Sequence, residues 1–393
     1  MRKSLSTTLL LLALLVPALA ACGGQTAAPA ATEVPAATEA PAATEAPAPT
    51  EAPEPTEAPA PTEEPAATEE PAVTEAPAEG SGDRIRVGLV TDVGRINDGT
   101  FNQYAYEGLK RAEAELGVEI AYIETQAPTD YDRNLQQFAD QGFDMIIAVG
   151  FLMGDALAAA AERNPDISYA IVDFAYDPPL PNVRGIVFAE DEAGYLAGVL
   201  AAHMTESGSI GVVGGIEGVP AVQRFVKGYA NGARSVNPDI DVKQVYIDSF
   251  TDRARGAEAA RSFIAEGADV IFGAGGQTGS GAIQAAAQDG IYVIGVDQDE
   301  YVTTFQNGAA PGSDKILSSA IKRVDVGVFE SIKDVVEGDF EGGTMLFNAA
   351  NDGVGLAPFH DTESLIPDEA KAQIEATLAG LADGSITTDV TVE

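Results

Sequence analysis

The sequence predicts an α/β protein built as two doubly wound parallel-sheet lobes. Three observations lead there. From about residue 84, apolar β-branched runs alternate with segments of helical period, the βαβ rhythm of a parallel sheet. This rhythm runs twice, in two series of similar unit length, which argues for two lobes rather than one oversized sheet. The strands also end on Asp or Gly, where an open α/β sheet turns its loops toward a ligand.

The first strand, 84–90, rests on the run Ile85 to Val90. It closes on Asp92, a loop bearing Gly94, and a helix 101–116 with apolar Tyr104, Ala105, Leu109 and Ala112. Taken singly, Asp98 or Thr100 reads equally as a helix cap, Phe101 as a core residue and Asn102 as a first-turn polar residue. Strands at 119–123, 144–149, 168–172 and 183–188 follow, with helices at 131–141 and 154–163. A helix at about 191–204 leads to the second series: strands 209–213, 242–247, 269–273 and 291–296, and helices near 220–235, 252–266 and 279–288. A long helix from Lys315 to Glu337, a Gly-rich segment 342–357 and an amphipathic helix 367–380 complete the expectation.

Ahead of the globular part, residues 1–22 carry two basic residues, an apolar run from Leu9 to Leu15 and then Leu19-Ala20-Ala21-Cys22. The run is too short to span a bilayer and has the arrangement of a secretory signal peptide. Leu-Ala-Ala-Cys resembles a bacterial lipobox, which implies cleavage before Cys22, its lipidation, and anchoring by acyl chains. Residues 23–82 repeat Thr-Glu-Ala-Pro-Ala with small changes. Without aromatic or basic residues they bury too little to offset ordering entropy, and read as a disordered tether with a reach of about 180 Å if fully extended.

Net charge is −39, with 22 Lys and Arg against 61 Asp and Glu. Such a surface disfavours nucleic acid as a partner. Cys22 is the only cysteine, so no intrachain disulfide forms. With only His203 and His360 beside it, a His/Cys zinc site is not expected.

The loop Gly273-Ala-Gly275-Gly-Gln-Thr-Gly279-Ser-Gly281 invites a nucleotide reading but lacks the Lys-Ser/Thr of a P-loop, and its spacing misses GxGxxG. Its glycines read as close main-chain approach to a ligand or as turn chemistry. Asp297-x-Asp299 is a conceivable Mg²⁺ pair without the further carboxylates such a site recruits. No Gly-x-Ser-x-Gly or His-Glu-x-x-His occurs. Binding without turnover is the simpler reading, and no cofactor is implied.

The run Thr91-Asp92-Val-Gly94…Asp98-Gly-Thr-Phe101-Asn102-Gln103…Glu107-Gly108 resembles the first motif of the basic membrane protein family of substrate-binding lipoproteins, which includes bacterial purine nucleoside receptors. Val149-Gly150-Phe151, Val172-Asp173, Asp191-Glu-Ala-Gly-Tyr-Leu-Ala-Gly198, Phe225-x-x-Gly228-Tyr, Gly295-Val-Asp297 and Ser318-Ser-Ala-Ile-Lys322-Arg-Val-Asp325 continue the match.

The resemblance implies the type I periplasmic-binding-protein fold, with three hinge strands between the lobes. It implies lobe 1 from 83–188 plus 297–338, lobe 2 from 189–296 plus 339–380, and a C-terminal tail 381–393. It further implies a lipid-anchored receptor on the extracytoplasmic face of the bacterial cell membrane. Its partners would be a nucleoside and the permease and ATPase subunits of an ABC importer.

In a nucleoside receptor, Phe101 and Phe225 would sandwich the base while Asp92, Asn102 and Asp173 meet its polar edge. Asp297 would take the ribose hydroxyls, with Lys322 at the start of the long helix neutralising it, or Lys315 in its place. Gly273 and Gly275 would let main chain approach the sugar. Two other classes stand beside this one. A nucleoside hydrolase would need an Asp metal cluster or a phosphate site; a sensory lipoprotein would lack the permease.

Overall fold

The computed structural model describes residues 84–392. The expected signal peptide 1–22, Cys22 and the tether 23–82 lie outside the described residues. The first series runs β1 (Arg86–Val93), α1 (Phe101–Leu116), β2 (Glu119–Thr125), α2 (Tyr131–Asp140), β3 (Met145–Val149), α3 (Gly154–Arg163), β4 (Ser168–Val172) and β5 (Val183–Phe188). The chain crosses at α4 (Glu190–Met204) into β6 (Ser209–Gly214), α5 (Pro220–Val236), β7 (Asp241–Tyr246), α6 (Arg253–Ala265), β8 (Val270–Ala274), α7 (Gly276–Gln288), β9 (Tyr292–Asp297) and β10 (Ile316–Lys322). It returns through α8 (Val324–Glu337) and β11 (Gly343–Phe347), crosses once more to β12 (Val354–Leu356), and ends in α9 (Asp368–Asp383).

Two six-stranded sheets result, ordered β11-β5-β4-β3-β1-β2 and β12-β10-β9-β8-β6-β7. Every pairing is parallel except β10 with β12. The pleat explains why β3 is apolar throughout: Met145, Ile147 and Val149 pack into one core cluster, Ile146 and Ala148 into another on the opposite face. In the second lobe α4 and α5 lie unusually close. A Cβ on Gly198 would stand 2.0 Å from the Tyr229 carbonyl, and one on Gly232 2.0 Å from that of Tyr195.

The largest departure from expectation is residues 315–337. The segment is not one helix: Ile316–Lys322 pairs parallel with β9, and only Val324–Glu337 is helical. Apolar spacing at Ile316, Ala320 and Val324 fits either period, and tertiary pairing decides. Strand burial is made tolerable for the serines by Ser318 Oγ donating to the Ala357 carbonyl at 2.7 Å and Ser319 Oγ accepting from the Glu300 N–H at 3.0 Å.

The lobe boundaries shift accordingly. Residues 316–322 pair in the second sheet, not in lobe 1 as the range 297–338 assumes; residues 343–347 pair in the first sheet, not in lobe 2 as 339–380 assumes. The Gly-rich segment holds both short strands. Nor does a separate tail begin at 381: α9 runs to Asp383, and the Thr388 carbonyl accepts from Asn231 Nδ2 at 2.9 Å. Among the described residues no helix is long and apolar enough to cross a membrane.

Candidate functional site

The carboxyl ends of β1, β3, β4, β8, β9 and β10 open onto one cleft between the lobes. The first lobe contributes Asp92, Phe101, Asn102 and Asp173. The second contributes Phe225, Gly275, Asp297 and Lys322. Gly273 does not line it: a Cβ there would meet the Gly279 carbonyl at 2.5 Å, so its bareness lets α7 pack on β8. The cleft is mostly apolar in its walls, as small-molecule sites are.

At one end Asp92 follows the core of β1 and is almost fully buried. Asn102, in the first turn of α1, donates through Nδ2 to Asp92 Oδ1 at 3.1 Å and to Asp98 Oδ2 at 3.0 Å. Burial pushes the Asp92 carboxyl up to about 7; the Asn102 hydrogen bond opposes this, and the charges of Asp98, Asp173 and Asp297 add to it. Burial also raises Asp98. The capping reading of Asp98 is correct as far as it goes, since Oδ1 accepts from the Thr100 and Gln103 N–H groups.

At the other end stands Lys322, the last residue of β10 rather than the start of a helix, and only 2 % exposed. Its Nζ donates to both Asp173 oxygens, at 2.8 and 3.0 Å, and lies 3.7 Å from Asp297 Oδ1 and from Glu190 Oε1. Asp173 lines the same cleft as Asp92 and Asn102 and is tied to the lysine. Burial alone would depress the Lys322 pKa; the carboxylates of Asp173, Asp297 and Glu190 reverse this and hold it above the ordinary lysine value. Burial pushes Asp297 up to about 6 against the opposing pull of Lys322, with Asp173 and Asp98 adding to the rise. Asp173 and Asp297 end strands in different lobes, and both adopt φ of 66°, a left-handed conformation that Asp tolerates better than most residues. Lys315 is elsewhere, with Nζ 5.4 Å from the Tyr292 ring.

Between the two ends the walls are aromatic. Lys322 Nζ lies 4.7 Å from the Phe101 centroid and 5.7 Å from that of Phe225. Phe225 packs edge-on against Phe272 in the core and also lines the cleft. Phe151 and Phe250 join the walls, each just past a strand end.

Sequence reasoning left several contributors without a role. Gly150-Phe151 was read at a strand end and in the family motif, and it lines the cleft. Phe250 follows β7 in the same way. Glu190 had no visible signal, because an acidic first turn of a helix ordinarily reads as solvent-facing. Here Glu190 is fully buried, accepts from an Arg224 guanidinium nitrogen at 3.2 Å, and is pushed up to about 7 by burial against the pull of Lys322.

The turn after β9 has a second task. Gln298 Nε2 donates to the Thr100 carbonyl at 2.9 Å and Thr303 Oγ1 to the Gly99 carbonyl at 2.7 Å, joining the lobes beside the cleft. Glu300, wholly buried behind it, accepts from Ser280 Oγ, Thr304 Oγ1 and the Val296 N–H. Asp299 turns away from Asp297 to meet His360 Nε2 at 2.6 Å. Among the described residues no group of three or more His, Cys, Asp and Glu side chains is placed to hold a metal ion.

With this geometry in view, residues 85–379 match the family model described as ABC transporter substrate-binding protein PnrA-like. The chain belongs to this family. A relative named ABC transporter nucleoside-binding protein BmpA, from Lactococcus lactis, is 35% identical over 317 residues, covering 77% of this chain and 88% of the relative. Basic membrane protein A of Borreliella burgdorferi is 34% identical, covering 68% and 78%. Among solved structures, an ABC transporter solute-binding protein from Aeropyrum pernix superposes with TM-score 0.69 at 29% identity, covering 77% of this chain and 92% of that one. The two lobes are thus those of the type I periplasmic-binding-protein fold, in a family of substrate-binding proteins of ABC transporters.

Proposed function

We propose that the protein is an extracytoplasmic receptor, lipid-anchored at Cys22, that closes its lobes on a nucleoside of the purine class and delivers it to an ABC permease. The observation that carries the reading is the polarity of this cleft: aromatic walls from both lobes, hydrogen-bonding carboxylates at one end and a buried lysine–carboxylate cluster at the other. A nucleoside has the same three parts, a flat base, a base edge with hydrogen-bonding groups, and a diol-bearing sugar. Phe101 and Phe225 take opposite faces of the base, and Asp92 and Asn102 meet its edge. Asp297 accepts from the ribose hydroxyls, with Asp173 and Lys322 holding that end together, and Gly275 lets main chain approach. The name of the Lactococcus lactis relative, a nucleoside-binding protein, supports the ligand class.

Hinge closure buries the ligand and produces the state a permease recognises. The test is calorimetry of the full chain with guanosine, inosine, adenosine, uridine and riboflavin. Heat of binding and a thermal shift with purine nucleosides are expected. Neither signal with any nucleoside sinks the reading. Anchoring is read separately, by incorporation of a labelled fatty acid that Cys22→Ser abolishes.

A further inference from the structure

Asp98 does more than a cap requires. Its carboxylate is nearly buried and takes four hydrogen bonds: Oδ1 accepts from the N–H groups of Thr100 (2.8 Å) and Gln103 (3.1 Å), and Oδ2 from the Asn102 N–H (3.1 Å) and from Asn102 Nδ2 (3.0 Å). Three of these bonds are to backbone groups and suffice to start α1. The fourth fixes a side chain that lines the cleft.

An amide carries its two N–H bonds on one branch and its oxygen on the other. Both Asn102 Nδ2 hydrogens are held, one by Asp98 and one by Asp92. Exchanging Nδ2 and Oδ1 would set the oxygen against two carboxylates, so the amide has one orientation. Asn102 Oδ1 is then left buried with no partner in the protein, an acceptor waiting for a donor.

We propose that Asp98 is a positioning residue for ligand selection: by locking the Asn102 amide it makes Asn102 Oδ1 and the Asp92 carboxylate neighbouring acceptors, which select a heterocycle edge bearing two adjacent N–H donors. The inference rests on the nucleoside reading and sharpens it. Guanosine carries such an edge at N1–H and the 2-amino group. Adenosine alternates an acceptor at N1 with a donor at the 6-amino group, and its N1 lone pair would face an acceptor.

The experiment is calorimetry of the full chain, as wild type and as Asp98→Asn, with guanosine, 1-methylguanosine and adenosine. In Asp98→Asn the amide oxygen keeps the bonds to Thr100 and Gln103, while its NH₂ faces Asn102 Nδ2 and removes the lock. Wild type is expected to bind guanosine about tenfold or more tighter than the other two, the scale of one hydrogen bond to a charged group. Asp98→Asn is expected to narrow the guanosine-to-adenosine ratio by about fivefold or more.

Equal weakening of both ligands, or an unchanged ratio, overturns the inference and leaves Asp98 as a cap of α1. If Asp98→Asn fails to fold, wild type alone decides: equal affinity for guanosine and 1-methylguanosine overturns it, and a tenfold loss on methylation supports it. Tight binding of adenosine in preference to guanosine overturns the inference while upholding the nucleoside reading. The absence of any nucleoside binding overturns both.

Discussion

The two ends of the cleft bury carboxylates to a similar degree and compensate them differently. Around Asp92 the only relief is one hydrogen bond, from the Asn102 amide, and the carboxyl rises to about 7. Around Asp297 a lysine is present, and the rise stops at about 6 even though Asp173 adds repulsion. The first carboxylate is held by a neutral amide; the second belongs to an ion cluster whose parts depend on one another, and Glu190 within that cluster is pushed up to about 7 as well. Burying a charge is tolerable only with a partner.

The sharpest way to break the contrast is Lys322→Met, which leaves Asp173, Asp297 and Glu190 facing each other without their shared cation. An expected loss of about 3–5 kcal/mol in unfolding free energy, the scale for breaking a buried ion pair, is measured by denaturant titration near pH 7.5. A loss under 1 kcal/mol would mean that the cluster is better solvated than its burial indicates.

Next comes the acid end, where the sign follows from the direction of the shift. The Asp92 pKa is raised from 3.8 to about 7, so its contribution is full below about pH 4 and is lost as pH climbs through 7. Asp92→Asn should flatten the fall in unliganded stability between pH 5 and 8 by on the order of 2–3 kcal/mol. Parallel pH profiles for wild type and variant would place the titration on another group.

Asp297→Ala should weaken nucleoside binding by about 1.5–3 kcal/mol, the worth of hydrogen bonds to a charged group, while leaving affinity for the free base nearly unchanged. Comparable losses for base and nucleoside would put the sugar at the Asp92 end instead. The smallest expected effect is from the wall between the ends: Phe101→Ala should cost about 1–3 kcal/mol of binding for base and nucleoside alike. Unaltered calorimetric affinity would leave stacking to Phe225 and Phe151.

Much of this arrangement was legible because the residues involved carry strong local signals. Phe101–Leu116 has unbroken helical spacing, and Asp92, Asp173 and Asp297 interrupt apolar runs where a strand must end. What escaped depends on distant partners. Ile316–Lys322 is a strand because β9 and β12 flank it, and its own spacing suits a helix as well. Lys322 was consequently placed on the wrong element and given Asp297 as its first partner, whereas Asp173, from a strand in the other sheet, lies nearer. Glu190 is indistinguishable from a solvated first-turn acid until Arg224 and Lys322 arrive from α5 and β10. Gly273 looked like a ligand-facing glycine because only its contact with Gly279 shows which side it clears.

The grip of Gln298 and Thr303 on the 99–100 loop ends on main-chain carbonyls. Such acceptors belong to the main chain, so the fastening itself makes no demand on the side chains at 99 and 100. The two donors have no such latitude. Variation that tunes what the cleft accepts can accumulate on one side of this fastening, while the residues that fasten it are held to their hydroxyl and amide.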